Sequence, residues 1–285
     1  MASQSALPER AGYPAPPDLQ VRRDGMAGAL ASGALPAPEG QATEIVGDIR
    51  TIRFGSSDCA DTVIVHFHGG GFRLGAPEVC AGYAAKLSSG GNATVYCPAY
   101  RLSPEAPFPA ALNDAMQVVR RLASRGSRLI VAGDSAGGGL AASLMQLCAR
   151  DGIPIAGLVL HSPWLDLSVS SASYQNNASA DPLFSKNAAT EAAQMYLQGH
   201  PATDPLASPL LADLTDFPPT FISVGEEEVL LDDARALHGR LVEASQSATL
   251  LEVAGMDHVA VTRGSDVPGS PEVLAATLSF LAALD

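Results

Sequence analysis

From residue 43 the chain alternates between two hydrophobic periods. EIVGDIRTIRF reads as a mixed strand pair or hairpin. TVIVHFH (62–68) is a continuous β-branched apolar run, the mark of a strand buried on both faces. Residues 79–88 predict a helix, and ATVYCPAY (93–100) a second buried strand. EAPFPAALNDAMQVVRRLAS (105–124) carries apolar residues at helical spacing, with its prolines confined to the start. RLIVAG (128–133) is a third strand, SAGGGLAASLMQLCAR (135–150) a helix of small residues, and GLVLHS (157–162) a fourth strand.

The alternation then breaks. Residues 168–215 are rich in Ser, Asn, Ala, Asp and Pro, with a helical piece around 188–198. It resumes with TFISVG (220–225), a helix near 229–245, the strand ATLLEV (248–253) and a last helix over 271–284. Strands and helices in this order predict an α/β fold with a mostly parallel sheet flanked by helices. No internal repeat or central linker appears, so one domain over 1–285 is expected. Residues 1–20, rich in Ala, Pro and Ser, read as a poorly ordered lead-in; a helix over 21–40 is only weakly signalled.

Composition narrows the classes. The 285 residues are 47% hydrophobic and 16% charged, as a packed globular chain requires. Thirty acids against 17 bases give a net charge of -13 without any Lys/Arg run, which disfavours nucleic-acid and anionic-membrane partners. No apolar stretch reaches the ~18 residues of a membrane span, and no secretory signal opens the chain. Cys59, Cys80, Cys97 and Cys148 lack metal-site spacing and are expected as reduced thiols in a cytoplasmic protein.

The strongest local signal is Gly133-Asp134-Ser135-Ala136-Gly137, a G-x-S-x-G between a strand and a helix. That turn lifts a nucleophilic hydroxyl above the sheet, and the helix start behind it offers free N–H groups. Glycine at 133 and 137 removes collisions with the neighbouring strand and helix. His68-Gly69-Gly70-Gly71-Phe72, directly after a strand, can turn its amides inward toward an oxyanion. A phosphate loop is the alternative, but the GxxxxGK[ST] pattern is missing. His68 reads as a structural anchor of that loop.

A serine hydroxyl needs a base. Of six histidines, His66 and His161 lie in apolar strands, while His200 and His238 sit in the broken segment and a helix. His258 follows the strand ATLLEV, at the sheet end where open α/β folds place their sites. The acid is expected after TFISVG, where Glu226, Glu227, Glu228, Asp232 and Asp233 compete. Composition leaves that choice open.

Together HGGGF (68–72), YRLSPEAPFPAALND (100–114), GDSAGG (133–138), SPWLDLS (162–168), DPLASPLLADL (204–214), PPTFISVGEEEVLLDD (218–233) and GMDH (255–258) resemble the hormone-sensitive-lipase-like family of α/β-hydrolases, in its bacterial carboxylesterase branch. The resemblance implies the α/β-hydrolase fold, a cap from about 1–40 and 168–215, and hydrolysis of short- to medium-chain carboxylic esters. It implies Ser135 as nucleophile, His258 as base, and oxyanion donors at Gly70, Gly71 and Ala136. Glu228 stands where the family usually has Asp, so the resemblance implies Glu228 as the acid, with Asp232 as the alternative. Arg101, Glu105 and Asp134 match supporting positions. Phe72, Trp164 and Leu230 are candidate pocket residues. Asp257, an extra carboxylate beside His258, is expected to raise the pKa of that histidine if the two side chains approach. No metal or organic cofactor is implied, the partner is a small-molecule ester, and a homodimer is left open. A lactone hydrolase or deacetylase would use the same triad. A non-catalytic receptor, as in the plant gibberellin receptors, would lack the catalytic histidine.

Overall fold

The computed structural model describes residues 5–33, 38–56 and 61–284. Eight strands form one sheet: β1 (Ala42–Val46), β2 (Ile49–Phe54), β3 (Thr62–Phe67), β4 (Thr94–Pro98), β5 (Arg128–Asp134), β6 (Gly157–His161), β7 (Thr220–Gly225) and β8 (Ala248–Val253). Their spatial order is β1-β2-β4-β3-β5-β6-β7-β8. β1 and β2 form the expected hairpin and β2 meets β4 antiparallel; every other pair is parallel. The sheet is therefore mostly parallel, as the alternation predicts.

The helices are α1 (Pro17–Ala31), α2 (Ala81–Gly90), α3 (Ala110–Ala123), α4 (Ala136–Asp151), α5 (Ser173–Asn176), α6 (Lys186–Leu197), α7 (Leu231–Glu243), α8 (Ala260–Arg263) and α9 (Ser270–Ala283). Strand side chains alternate between faces, and this splits the core in two. Val63, Val65, Phe67 and Val131 pack with Leu112, Met116 and Val119 of α3, Leu140 and Leu144 of α4, and Leu237 and Leu241 of α7. Ile64, Ile130, Ala132 and Val159 pack on the other face with Tyr83 and Leu87 of α2, Ala260 of α8, and Val273 and Leu281 of α9. Helices on both faces explain why the central strands read as unbroken apolar runs. They also leave the strands' C-terminal ends as the open rim where loops converge.

Two departures concern the N-terminus. Residues 5–16 are not a loose lead-in. Leu7 exchanges two hydrogen bonds with Asn113, Glu9 pairs with Arg101, and Arg10 donates to the carbonyl of Leu197 at 2.7 Å. Order here comes from polar anchors to distant residues, which composition does not reveal. The weakly signalled helix is well formed and starts earlier, at Pro17, where proline suits the first turn. Cys80, Cys97 and Cys148 are buried free thiols; Cys59 lies outside the described residues, as do residues 1–4.

Asp233, fully buried in the first turn of α7, ties the segment after β6 to that helix. Its carboxylate accepts from the N–H groups of Leu165 and Asp166 and from the Ser171 hydroxyl. Burial pushes its pKa up to about 6, and nearby Asp166 adds to the rise. A raised carboxylate pKa means stability present at low pH and lost as pH rises through 6. Asp233→Asn keeps acceptor and shape, its amide nitrogen now donating to Ser171. Denaturant unfolding at pH 8 should show a gain of about 1–3 kcal/mol, fading as pH falls toward the ordinary carboxylate range.

Candidate active site

Ser135 ends the turn between β5 and α4 with φ of 53° and ψ of −122°, a backbone state that L-residues avoid. The crowding that enforces it is visible at both glycines. A Cβ on Gly133 would lie 2.2 Å from the carbonyl of Gly137, and one on Gly137 would lie 2.1 Å from that of Phe67. The strain lifts Oγ to the rim, where it lies 3.0 Å from Nε2 of His258.

His258 follows β8 and Glu228 follows β7, so three strand ends deliver the three groups. Nδ1 of His258 lies 2.7 Å from Oε2 of Glu228. The other oxygen, Oε1, accepts from the Ser162 hydroxyl at 2.7 Å and from the Gly225 N–H at 2.6 Å. The carboxylate is 1% exposed, so these donors replace water and fix its orientation. Asp232 does not reach His258; it accepts from the N–H of Ser173 at 2.7 Å. Of the competing carboxylates, Glu228 is the one in contact with the imidazole.

Burial would depress the pKa of His258. The hydrogen bond and charge of Glu228, helped by Asp181 and Asp134, outweigh it and hold the imidazole above its ordinary value. Asp257 is not the source. Its side chain turns to Arg263, 3.4 Å away. The expectation of a raised histidine therefore stands on different carboxylates from the one adjacent in sequence.

The glycine loop after β3 faces Ser135. Gly70 and Gly71 take φ of 120° and 62°, and a Cβ on Gly70 would strike the Leu74 carbonyl at 2.1 Å. Among the described residues their N–H groups have no hydrogen-bond partner, and that of Ala136 opens α4, where helical N–H groups are free. Asp134 holds this loop against the Ser135 turn: Oδ2 accepts from the Gly69 N–H at 3.0 Å, and Oδ1 pairs with Nε2 of His66 at 2.9 Å. His68 anchors the loop as expected, stacked on Tyr100, whose hydroxyl donates to the His68 carbonyl. His161 is held between Tyr83 and Ser223, and burial pushes it down to about 3.

A cavity of about 540 Å³ opens over Ser135. Arg22 and Met26 of α1, Leu183, Phe184, Ala188 and Ala192 near or on α6, and Val259 and Arg263 around α8 line it. Phe72, Trp164 and Leu230 do not. The φ of 59° at Phe72 turns its ring away to stack on Tyr196. Trp164 is 1% exposed and sits behind Phe184, edge-on at 5.8 Å. Leu230 is fully buried in the core. These three are corrected to packing residues.

Sequence reasoning missed Ser162, Asp181 and Phe184. Ser162 sits at the end of β6 with φ of 45° and also accepts from the Val259 N–H, so one hydroxyl links the Glu228 and His258 loops. Asp181 accepts from the N–H groups of Leu183, Phe184 and Val229, joining the irregular segment to the Glu228 loop. Phe184 stacks on His258 with centroids 5.6 Å apart. A serine directly after a central strand was the one readable signal. Among the described residues no cluster of His, Cys, Asp and Glu is placed to hold a metal ion, and no helix is long and apolar enough to cross a membrane.

Comparison with known proteins agrees with this geometry. Residues 64–262 match a family described as alpha/beta hydrolase fold. An acetyl-hydrolase of Streptomyces hygroscopicus is 40% identical over 200 residues, covering 69% of this chain and 67% of the relative. A carboxylesterase of Mycobacterium tuberculosis is 34% identical over 233 residues, 77% of this chain and 72% of its own. The crystal structure of a hormone-sensitive lipase from a metagenome library superposes with a TM-score of 0.85 at 34% identity, covering 94% of this chain and 96% of that one. The chain therefore belongs to the hormone-sensitive-lipase-like branch of the α/β-hydrolase fold family.

Proposed function

We propose that this chain is a carboxylesterase-type serine hydrolase in which Ser135, His258 and Glu228 act as one unit on short- to medium-chain esters. The observation that carries the proposal is the continuous hydrogen-bonded line from Oγ through the imidazole to a buried carboxylate. His258, with Nδ1–H donated to Glu228, has Nε2 free to take the Ser135 proton as Oγ attacks the ester carbonyl. The developing oxyanion lies toward the amides of Gly70, Gly71 and Ala136, each worth about 10²–10³ in rate in comparable sites. His258 then protonates the departing alcohol, and water repeats the cycle on the acyl-enzyme. Phe184 over the imidazole limits solvent at the proton-transfer step.

Residues 1–285 act as one catalytic domain, with the N-terminal segment and 168–215 as its cap, since α1 and the Leu183–Ala192 stretch line the chamber. Short aliphatic lining residues suit modest acyl chains. Kinship with the Streptomyces acetyl-hydrolase favours acetyl esters as a second substrate reading. The buried thiols Cys80, Cys97 and Cys148 suit a cytoplasmic enzyme, and a homodimer is carried over from the resemblance for light scattering to test.

The protonation state of His258 sets the acid limb. Catalysis needs the neutral imidazole, so activity is lost as pH falls through its raised pKa. The acid limb of kcat/KM should lie above the ordinary histidine value of about 6.5 and should barely move in Asp257→Asn. Hydrolysis of p-nitrophenyl butyrate across pH 5–9 measures both. An acid limb below 6.5 contradicts the assignment.

A further inference from the structure

In a chain with 30 acids and 17 bases, the chamber above Ser135 reverses the balance. Arg22, Arg73 and Arg263 line it from three separate elements, against one carboxylate, Asp134. Both Asp134 oxygens are already engaged, by His66 and Gly69. The three arginines are not equivalent. Arg73 is 4% exposed, paired with Glu191 at 2.9 Å and bonded to the Ala188 carbonyl, so its charge is spent on holding α6. Among the described residues Arg263 makes only long contacts, 3.4 Å to Asp257 and 3.4 Å to the His258 carbonyl. Arg22 is exposed and, among the described residues, has no acidic partner. Two guanidiniums with unspent donors therefore face the chamber, one on α1 and one at the end of α8.

We propose that Arg22 and Arg263 form an anion-reading rim, and that the preferred ester carries a carboxylate remote from its scissile bond. The proposal rests on reading the chamber as an esterase site. Guanidinium donors match a carboxylate in charge and shape, and the chamber's apolar wall of Met26, Leu183 and Ala188 accepts the chain between the two ends. The local field thus opposes the protein's net charge. Asp257 competes with such a substrate for Arg263.

The test compares kcat/KM for matched esters. Mono-p-nitrophenyl glutarate against p-nitrophenyl pentanoate places the carboxylate on the acyl arm. 4-Acetoxybenzoate against its methyl ester places it on the leaving group. In the Arg22→Gln/Arg263→Gln double variant the anionic-to-neutral ratio should fall roughly tenfold in one arm, which identifies the side that reaches the rim. Asp257→Asn should raise the same ratio about two- to threefold by releasing Arg263. A ratio unchanged by the double variant in both arms, with all esters still hydrolysed, overturns the rim; so does a ratio lowered by Asp257→Asn. Failure of the wild type to hydrolyse any of the four esters overturns the esterase reading instead.

Discussion

Ser135→Ala should lower kcat for p-nitrophenyl butyrate by about 10⁴- to 10⁶-fold while leaving KM within a few-fold, because it removes the proposed nucleophile and little of the chamber. Alanine at this φ carries the same backbone strain as serine, and Oγ is a small part of the cavity wall, so the variant should fold and bind ester as before. Residual rate should come from the amides of Gly70, Gly71 and Ala136, which still polarise a bound carbonyl toward water. Circular dichroism and ester binding by inhibition of an active sample separate this loss from misfolding. A variant that retains more than about a hundredth of the activity would place the nucleophile elsewhere.

Glu228→Gln should cost about 10⁴ in kcat near neutral pH, the size seen when an analogous acid is made an amide in another serine hydrolase. The reason lies in the donors around the carboxylate. Ser162 and the Gly225 N–H both point at Oε1, so the amide oxygen must take that side. The amide nitrogen then faces Nδ1 of His258 and donates to it. The imidazole is forced into the tautomer with the proton on Nε2, where it cannot accept the Ser135 proton. Asp232→Asn should stay within about twofold of wild type, since Asp232 serves the N–H of Ser173 and not the imidazole. A large loss in Asp232→Asn with a small one in Glu228→Gln would reverse the assignment of the acid.

What was legible in the chain divides by how local its cause is. The strands were readable because helices bury both faces, leaving uninterrupted runs such as VIVHF. The Ser135 turn was readable because its glycines sit where a Cβ has no room. Position narrowed the acid to a short acidic run, the resemblance favoured Glu228 with Asp232 as the alternative, and the contact with His258 separates the two in the structure. The segments over the chamber were indicated by the resemblance alone, and the side chains that line it were not readable. Its walls come from α1 and the stretch around Leu183–Ala192, whose composition carries little periodic signal. Large aromatics beside a motif were misleading guides: Phe72 and Trp164 follow the right segments but turn inward, one by a positive φ, the other by packing behind Phe184. Order in residues 5–16 likewise depends on partners such as Asn113 and Arg101, a hundred residues away or nearly so.

The central claim is that one hydroxyl, activated across the rim of the sheet, does the chemistry. Treatment with a fluorescent organophosphonate followed by peptide mass mapping tests it directly. A single adduct on Ser135 is expected, appearing in step with loss of esterase activity, absent in Ser135→Ala, and forming far more slowly in His258→Ala. Full inactivation with the adduct on any other residue, or unmodified Ser135 in an inactivated sample, would contradict it.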